Sequence, residues 1–263
     1  MLKQIRAIIS DMDGVLWRGM QPMPGLHEFF AHMLDKNIGF VLATNNSSKT
    51  RLDYVDKLAK LDVPGLQPAH IVTSGTATAS YLRTKYPPGT RLFVVGGAGL
   101  KQILTKAGYL IVEDDADLVV CGIDFDLTYE KVRKATLLIR AGAGFIGTNP
   151  DSSFPSPEGL VPGAGSILAL IEAACGQRPL IIGKPARGMF EAALRQLDAD
   201  PHETLMIGDR IGTDIQGAQA LGIKTALVMT GVEDEASLAA SETRPDYVFE
   251  GLPELIGALK RAD

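Results

Sequence analysis

Asp11 and Asp13 stand two residues apart, directly after the apolar pair Ile8 and Ile9 and directly before Gly14. A chain leaving a buried strand thus presents two negative charges at once. Ionised carboxylates beside an apolar interior are penalised by desolvation and by each other. At a separation of about 4 Å two such charges repel by roughly 4 kcal/mol at an effective dielectric near 20, comparable with much of a domain's stability. A turn or helix N-cap is the structural explanation of such residues, and a bound cation is the chemical one. Three further apolar runs end in polar residues: Thr44, Asn45 and Asn46 follow "GFVLA", Lys184 follows "LIIG", and Asp209 and Asp214 follow "LMIG". If these runs are neighbouring strands of one parallel sheet, carboxylates, an ammonium and a hydroxyl converge in one crevice. A hard divalent cation then offsets the repulsion. Mg²⁺ takes a few carboxylate or carbonyl oxygens and leaves positions for phosphate oxygens, whereas zinc would prefer His or Cys. His27, His32, His70 and His202 form no HExxH and no close pair, so each reads as a surface or capping residue.

Positioning these groups falls to short β-rich runs: "IRAIIS", "IGFVLAT", "HIVTS", "RLFVVG", "LVVCGI", "GFIGTN", "PLIIG", "TLMIGD", "KTALVMTG" and "DYVFEG". Stretches of helical spacing separate them. Near-continuous apolar runs suit strands buried on both faces, so the fold class is α/β, with parallel sheets covered by helices on both sides. In open sheets of that kind ligands bind beyond the carboxyl ends of the strands. Pro/Gly breaks at "YPPGT" and "CGQRP" bracket an insert with its own β-α alternation. The expected domains are a discontinuous core, residues 1–87 and 179–263, and an inserted smaller α/β domain, residues 88–178. "GTNPDSSFPSPEGLVPGAGS" holds too many Pro, Gly and Ser for a regular element and reads as a long shaped loop. "VVGGAGLKQ" lacks the GxxxxGK[ST] and complete GxGxxG spacings and reads as a strand-to-helix turn. The Glu233–Glu242 stretch reads as an acidic surface loop or short helix.

With 263 residues, 46% of them hydrophobic, the chain can bury a real core in one or two domains. A net charge of -5 gives no basic field for nucleic acid or an anionic membrane, so neither is an expected partner. Cys121 and Cys175 lie among apolar neighbours and fit small buried side chains of a reducing compartment better than a disulfide framework. No uncharged run approaches a membrane span, and the N-terminal segment lacks the pattern of a signal peptide. A cytoplasmic protein is expected. Composition leaves the oligomeric state open, a homo-oligomer included.

"DMDGV", "TNN", "GKP" and "GDRIGTD" occur in the order and approximate spacing of the haloacid dehalogenase (HAD) superfamily. The chain resembles its phosphatases over nearly its whole length. "TNNSSKT" and "TNPDSSFPSPEGLVPGAGS" are similar to the NagD-like, para-nitrophenylphosphatase branch. The resemblance implies a doubly wound, Rossmann-like HAD core, with the insert as a cap over the active-site crevice. It implies Asp11 as the nucleophile that forms an aspartyl-phosphate, and Asp13 as the acid that protonates the leaving group and then activates water. For that task Asp13 must hold a proton at working pH, so a raised pKa is expected in the substrate-bound site. Asp11, the main-chain carbonyl of Asp13, and Asp209 would ligate Mg²⁺, with Asp214 ligating directly or through water. Lys184, the Thr44 hydroxyl and N–H groups near Asn45 and Asn46 would cradle the phosphate. Thr148, Asn149 and Asp151 are candidate substrate contacts, or ordinary turn formers. Trp17 and Arg18 fall in the segment that borders the entrance in this family, although Trp17 suits a core equally well. Arg210 would steer phosphate or pair with a carboxylate. The expected activity is Mg²⁺-dependent hydrolysis of a small phosphorylated metabolite: a sugar phosphate, phosphoglycolate, a nucleoside monophosphate or para-nitrophenyl phosphate. A phosphomutase of the same superfamily and a non-catalytic phosphometabolite sensor are the alternatives; a dehalogenase would have little use for Asp13 and the acidic cluster.

Overall fold

Ile8 and Ile9 are fully buried in the strand Ala7–Ser10, which pairs in parallel with Gly39–Thr44 on one side and Thr204–Gly208 on the other. The computed structural model describes residues 2–156 and 158–262, apart from the side chains of Pro155 and Ser156. These divide into two compact units. One takes in the described residues of Met1–Thr44, Arg51–Val72 and Phe190–Asp263; the other is Asn45–Thr50 with Thr73–Met189.

The first unit carries a six-stranded sheet in the order Tyr247–Phe249, Lys224–Val228, Thr204–Gly208, Ala7–Ser10, Gly39–Thr44, Ile71–Thr73. From Ala7–Ser10 the chain adds strands towards one edge, and its later part adds strands towards the other. The strand order therefore reverses between Ala7–Ser10 and Thr204–Gly208, and such a switch point opens a crevice at the carboxyl ends. Apolar residues at helical spacing close the core: Leu252, Leu255, Ile256 and Leu259 of helix Leu252–Ala262, and Leu26, Phe29, Phe30 and Met33 of helix Leu26–Asp35. Burying each large apolar side chain stabilises by about 1.5–3 kcal/mol, which locks the strands whose ends carry the polar residues.

The second unit has a five-stranded sheet in the order Leu180–Ile181, Gly144–Gly147, Leu118–Cys121, Arg91–Val95, Leu110–Ile111, with parallel pairing at every step. Helices Tyr129–Arg140 and Ala164–Cys175 bury Val132, Ala135, Ile139, Ile167, Leu168 and Ile171 against it. Both cysteines are free.

Two expectations need correction. Leu180–Ile181 pairs with Gly144–Gly147 in this second sheet, so the run before Lys184 is not a neighbour of Ala7–Ser10. A two-residue strand carries too little pattern to name its partner. The stretch read as a long loop contains an antiparallel hairpin, Ser153–Ser156 with Gly159–Pro162. In an isolated ribbon each strand has one outward edge, where a proline's missing N–H breaks no ladder bond. The remaining loop readings hold: Gly97 leads from Arg91–Val95 into helix Ala98–Lys106, and a short helix spans Glu235–Ala240.

Candidate active site

Asp11 prolongs its strand by one bond, its N–H donating to the Ile207 carbonyl at 2.8 Å. The chain then turns sharply, with Gly14 N–H bonding the Trp17 carbonyl at 2.8 Å and Leu16 N–H the Met12 carbonyl at 2.8 Å. Gly14 is required twice over. Its φ of +86° is costly for other residues, and a Cβ there would lie 2.4 Å from Asp209 Oδ2. Gly231 presses on the same carboxylate, where a Cβ would lie 1.9 Å from that oxygen. The space kept by these glycines lets Asp209 sit at 1% exposure, with Oδ2 accepting from Val232 N–H at 3.0 Å. Asp214 is fully buried in the wide helical turn Ile211–Ile215, and its Oδ2 accepts from Arg210 N–H at 3.2 Å. Gly208 makes room for it, since a Cβ there would lie 2.3 Å from Asp214 Cβ.

Asp11, Asp209 and Asp214 each bring one carboxylate oxygen within 4.8 Å of the others. Three carboxylates so close, two of them buried, could share one cation. Every donor is a carboxylate oxygen, which is the donor set of a hard divalent cation rather than of zinc or copper. The residues present therefore fit Mg²⁺.

Asp13 engages other partners. Its Oδ1 accepts from Trp17 Nε1–H at 2.9 Å and lies 3.9 Å from Lys57 Nζ. Thr44, buried at the end of its strand, shares a hydrogen bond with the Tyr54 side chain. Burial pushes the Tyr54 phenol well above its usual range; the bond with Thr44 opposes this, and the charges of Asp13, Asp11 and Asp53 add to the rise. Tyr54 thus stays protonated beside the acids.

The other expected residues lie in the second unit, and most of them meet there. The Asn45 amide donates to Lys184 O at 2.9 Å and to Asp151 Oδ1 at 3.2 Å. Both neighbours are acceptors, so the amide can face only this way. The main-chain carbonyl of Asn45 accepts from Asn149 Nδ2 at 2.7 Å and from Ser74 Oγ at 2.6 Å. Asn149 Oδ1 accepts from Asp151 N–H at 3.1 Å, and Thr148 Oγ1 lies 3.3 Å from Ser47 Oγ. Gly183 admits the network, because a Cβ would come within 2.5 Å of Thr148 O and 2.6 Å of Asn45 Oδ1. Lys184 is only 3% exposed. Asn46 Oδ1 accepts from Ser48 N–H and Oγ at 2.8 Å each, the bonds of a turn.

Models of two families match the chain: haloacid dehalogenase-like hydrolase over residues 8–110 and HAD-hydrolase-like over residues 181–255. The acid sugar phosphatase of Staphylococcus aureus is 38% identical over 261 residues, covering 99% of this chain and all of that protein. The chain belongs to the haloacid dehalogenase-like hydrolases. The 4-nitrophenylphosphatase of Thermotoga maritima superposes with a TM-score of 0.93 at 39% identity, covering 98% of each chain. NagD from E. coli K-12 superposes with a TM-score of 0.90 at 33% identity, covering 95% of this chain and 98% of that one. These likenesses put this HAD-like hydrolase in the NagD-like branch.

Several residues that shape the site escaped the sequence reading. Gly208 could have been suspected from its place directly before Asp209, whereas Gly231, far along the chain, carries no such signal. Tyr54 and Lys57, one turn apart on helix Arg51–Lys60, carry no signal beyond that spacing after "TNN". Among the described residues no helix is long and apolar enough to cross a membrane.

Proposed function

We propose that this HAD-like hydrolase is a Mg²⁺-dependent phosphatase of small phosphomonoesters, sugar phosphates first among them, working through an aspartyl-phosphate. One observation carries the reading: Asp11, at the switch point of the sheet, shares a 4.8 Å cluster with Asp209 and Asp214. Asp11 attacks phosphorus, forming one P–O bond while the bond to the leaving oxygen breaks. Asp13, two residues on, gives its proton to that oxygen, then takes one from the water that hydrolyses the acyl phosphate and regenerates Asp11. Asp11, Asp209 and Asp214 would hold Mg²⁺, which supplies positive charge against the phosphate oxygens. Phosphoryl transfer depends chiefly on positioning and on neutralising those oxygens, and we assign that work also to Lys184, the Thr44 hydroxyl and the main chain at Asn45. The names of the S. aureus and T. maritima relatives support sugar phosphates as substrates and para-nitrophenyl phosphate as an assay. Nitrophenol release should require Mg²⁺, stop with chelator, and vanish in Asp11→Asn. Release that persists without a divalent cation, or in that variant, overturns the proposal.

A further inference from the structure

Trp17 is the only tryptophan of the chain and is fully buried, yet its one polar atom reaches the site. The indole N–H donates to Asp13 Oδ1 at 2.9 Å. Lys57 Nζ lies 4.2 Å from the centre of the same indole and 3.9 Å from the same oxygen. The Lys57 side chain is 13% exposed, whereas that of Asp13 is 64% exposed. A solvent-facing carboxylate on a turn is thus gripped at one oxygen by two groups anchored in the core. The indole cannot swing away, because its backbone carbonyl binds Gly14 N–H and residues Trp17 and Arg18 pair with Gln21 and Pro22 in a small hairpin. Lys57 is held in turn by the ring face, a cation–π contact that strengthens as water is excluded.

We propose that Trp17 and Lys57 are positioning residues for Asp13: together they fix its carboxylate in the orientation from which it delivers a proton to the leaving oxygen. The inference rests on the role given to Asp13 above. Its rival is a structural reading in which Asp13 merely satisfies a buried indole N–H. The two readings differ in what happens when the leaving group changes. A nitrophenolate departs with little need of a proton, while a phenolate or methoxyphenolate needs one more.

The test compares kcat/KM, which covers the steps up to the aspartyl-phosphate, for para-nitrophenyl, phenyl and para-methoxyphenyl phosphate, three esters of similar shape. In Trp17→Phe, which keeps the ring and removes the N–H, and in Lys57→Met, which keeps the stem and removes the charge, kcat/KM should fall by about threefold for the nitrophenyl ester. It should fall by about thirtyfold for the methoxyphenyl ester, part of the 10²–10⁴ that general acid catalysis commonly contributes. Lys57→Arg should recover most of the difference. Equal losses on all three esters, or none, overturn the inference while leaving the phosphatase reading intact. If the wild-type enzyme released no phenol from any of them, both would fall. Thermal melting of each variant guards against mistaking a misfolded protein for a slow one, and Lys57→Met, which keeps the aliphatic stem, carries the test should Trp17→Phe not fold.

Discussion

The acid cluster of the first unit and the amide network of the second are built on opposite principles. Asp11, Asp209 and Asp214 bring three charges of one sign within 4.8 Å, and their placement is enforced from outside by Gly14, Gly208 and Gly231, which give way where a side chain would collide. Asn45, Asn149, Asp151 and Ser74 hold one another, donor to acceptor, around the backbone of Lys184. The first arrangement gathers carboxylate oxygens, the donor set a hard cation takes. The second joins donors to acceptors, and hydrogen bonds of that kind rigidify what they enclose. The carboxylates are crowded by their surroundings, and the amides are braced by one another.

The largest test of that contrast changes one carboxylate at a time and measures turnover beside stability. Asp11→Asn should cost roughly 10⁴-fold or more in kcat on para-nitrophenyl phosphate, as loss of a nucleophile commonly does. Asp214→Asn should cut turnover less and move stability in two directions. Without metal the melting temperature should rise, because a buried like charge is gone. With saturating Mg²⁺ the gain from metal should shrink, since stabilisation follows RT ln(1 + [L]/Kd). If Asp214→Asn lowered the melting temperature equally in EDTA and in Mg²⁺, the cluster would be an ordinary structural feature and the contrast would break.

Gly231→Ala sharpens the same side. The added Cβ would fall 1.9 Å from Asp209 Oδ2 and 2.2 Å from Asp209 Cβ, so Asp209 or the backbone must shift. Overpacking of this kind costs about 1–3 kcal/mol. Metal affinity should fall along with stability, read by Mg²⁺ titration of the melting temperature. In the second unit Asn149→Ala leaves the Asn45 carbonyl with one donor fewer, at about 1–2 kcal/mol, and that penalty should be the same with and without Mg²⁺. A Mg²⁺-dependent penalty there would erase the distinction.

What the sequence made legible follows the same division. Strands buried on both faces betray themselves as apolar runs, so Ala7–Ser10, Gly39–Thr44 and Thr204–Gly208 could be read directly, and with them the strand ends that bear Asp11, Thr44 and Asp209. Leu180–Ile181 joins the second sheet rather than the first, a pairing that two residues cannot encode because it is a long-range choice. The hairpin Ser153–Ser156 with Gly159–Pro162 hid behind its prolines, which are excluded from central strands but not from a ribbon. Trp17 and Lys57 hid for another reason: a buried indole and a lysine on an amphipathic helix look like core and surface until the turn after Asp11 brings Asp13 between them. Distant side chains that meet a site through one atom leave no local pattern.

The ion-paired Asp246 of the first unit supplies the yardstick, and the smallest expected effect. Asp246 accepts from Lys224 Nζ at 2.9 Å, from Thr225 N–H at 3.0 Å and from Thr225 Oγ1 at 2.9 Å. Burial alone would raise its pKa, yet the hydrogen bonds from Lys224 and Thr225 and the lysine charge outweigh it and hold the carboxyl below the usual range. With the folded value below the unfolded one, near 3.9, the stabilisation is fully present above that pH and is lost as the pH falls through the folded value. Half-exposed Lys224 and solvent screening limit it to about 0.5–1 kcal/mol. Asp246→Asn should therefore lower the melting temperature by about 1–4 °C at pH 7, and by progressively less as the pH falls through the folded value. Metal-free Asp214→Asn should show the opposite sign at pH 7, because there the same neutralisation removes repulsion instead of attraction. A penalty for Asp246→Asn that did not shrink on acidification would mean that hydrogen-bond geometry, not charge, sets the value of a carboxylate in this unit.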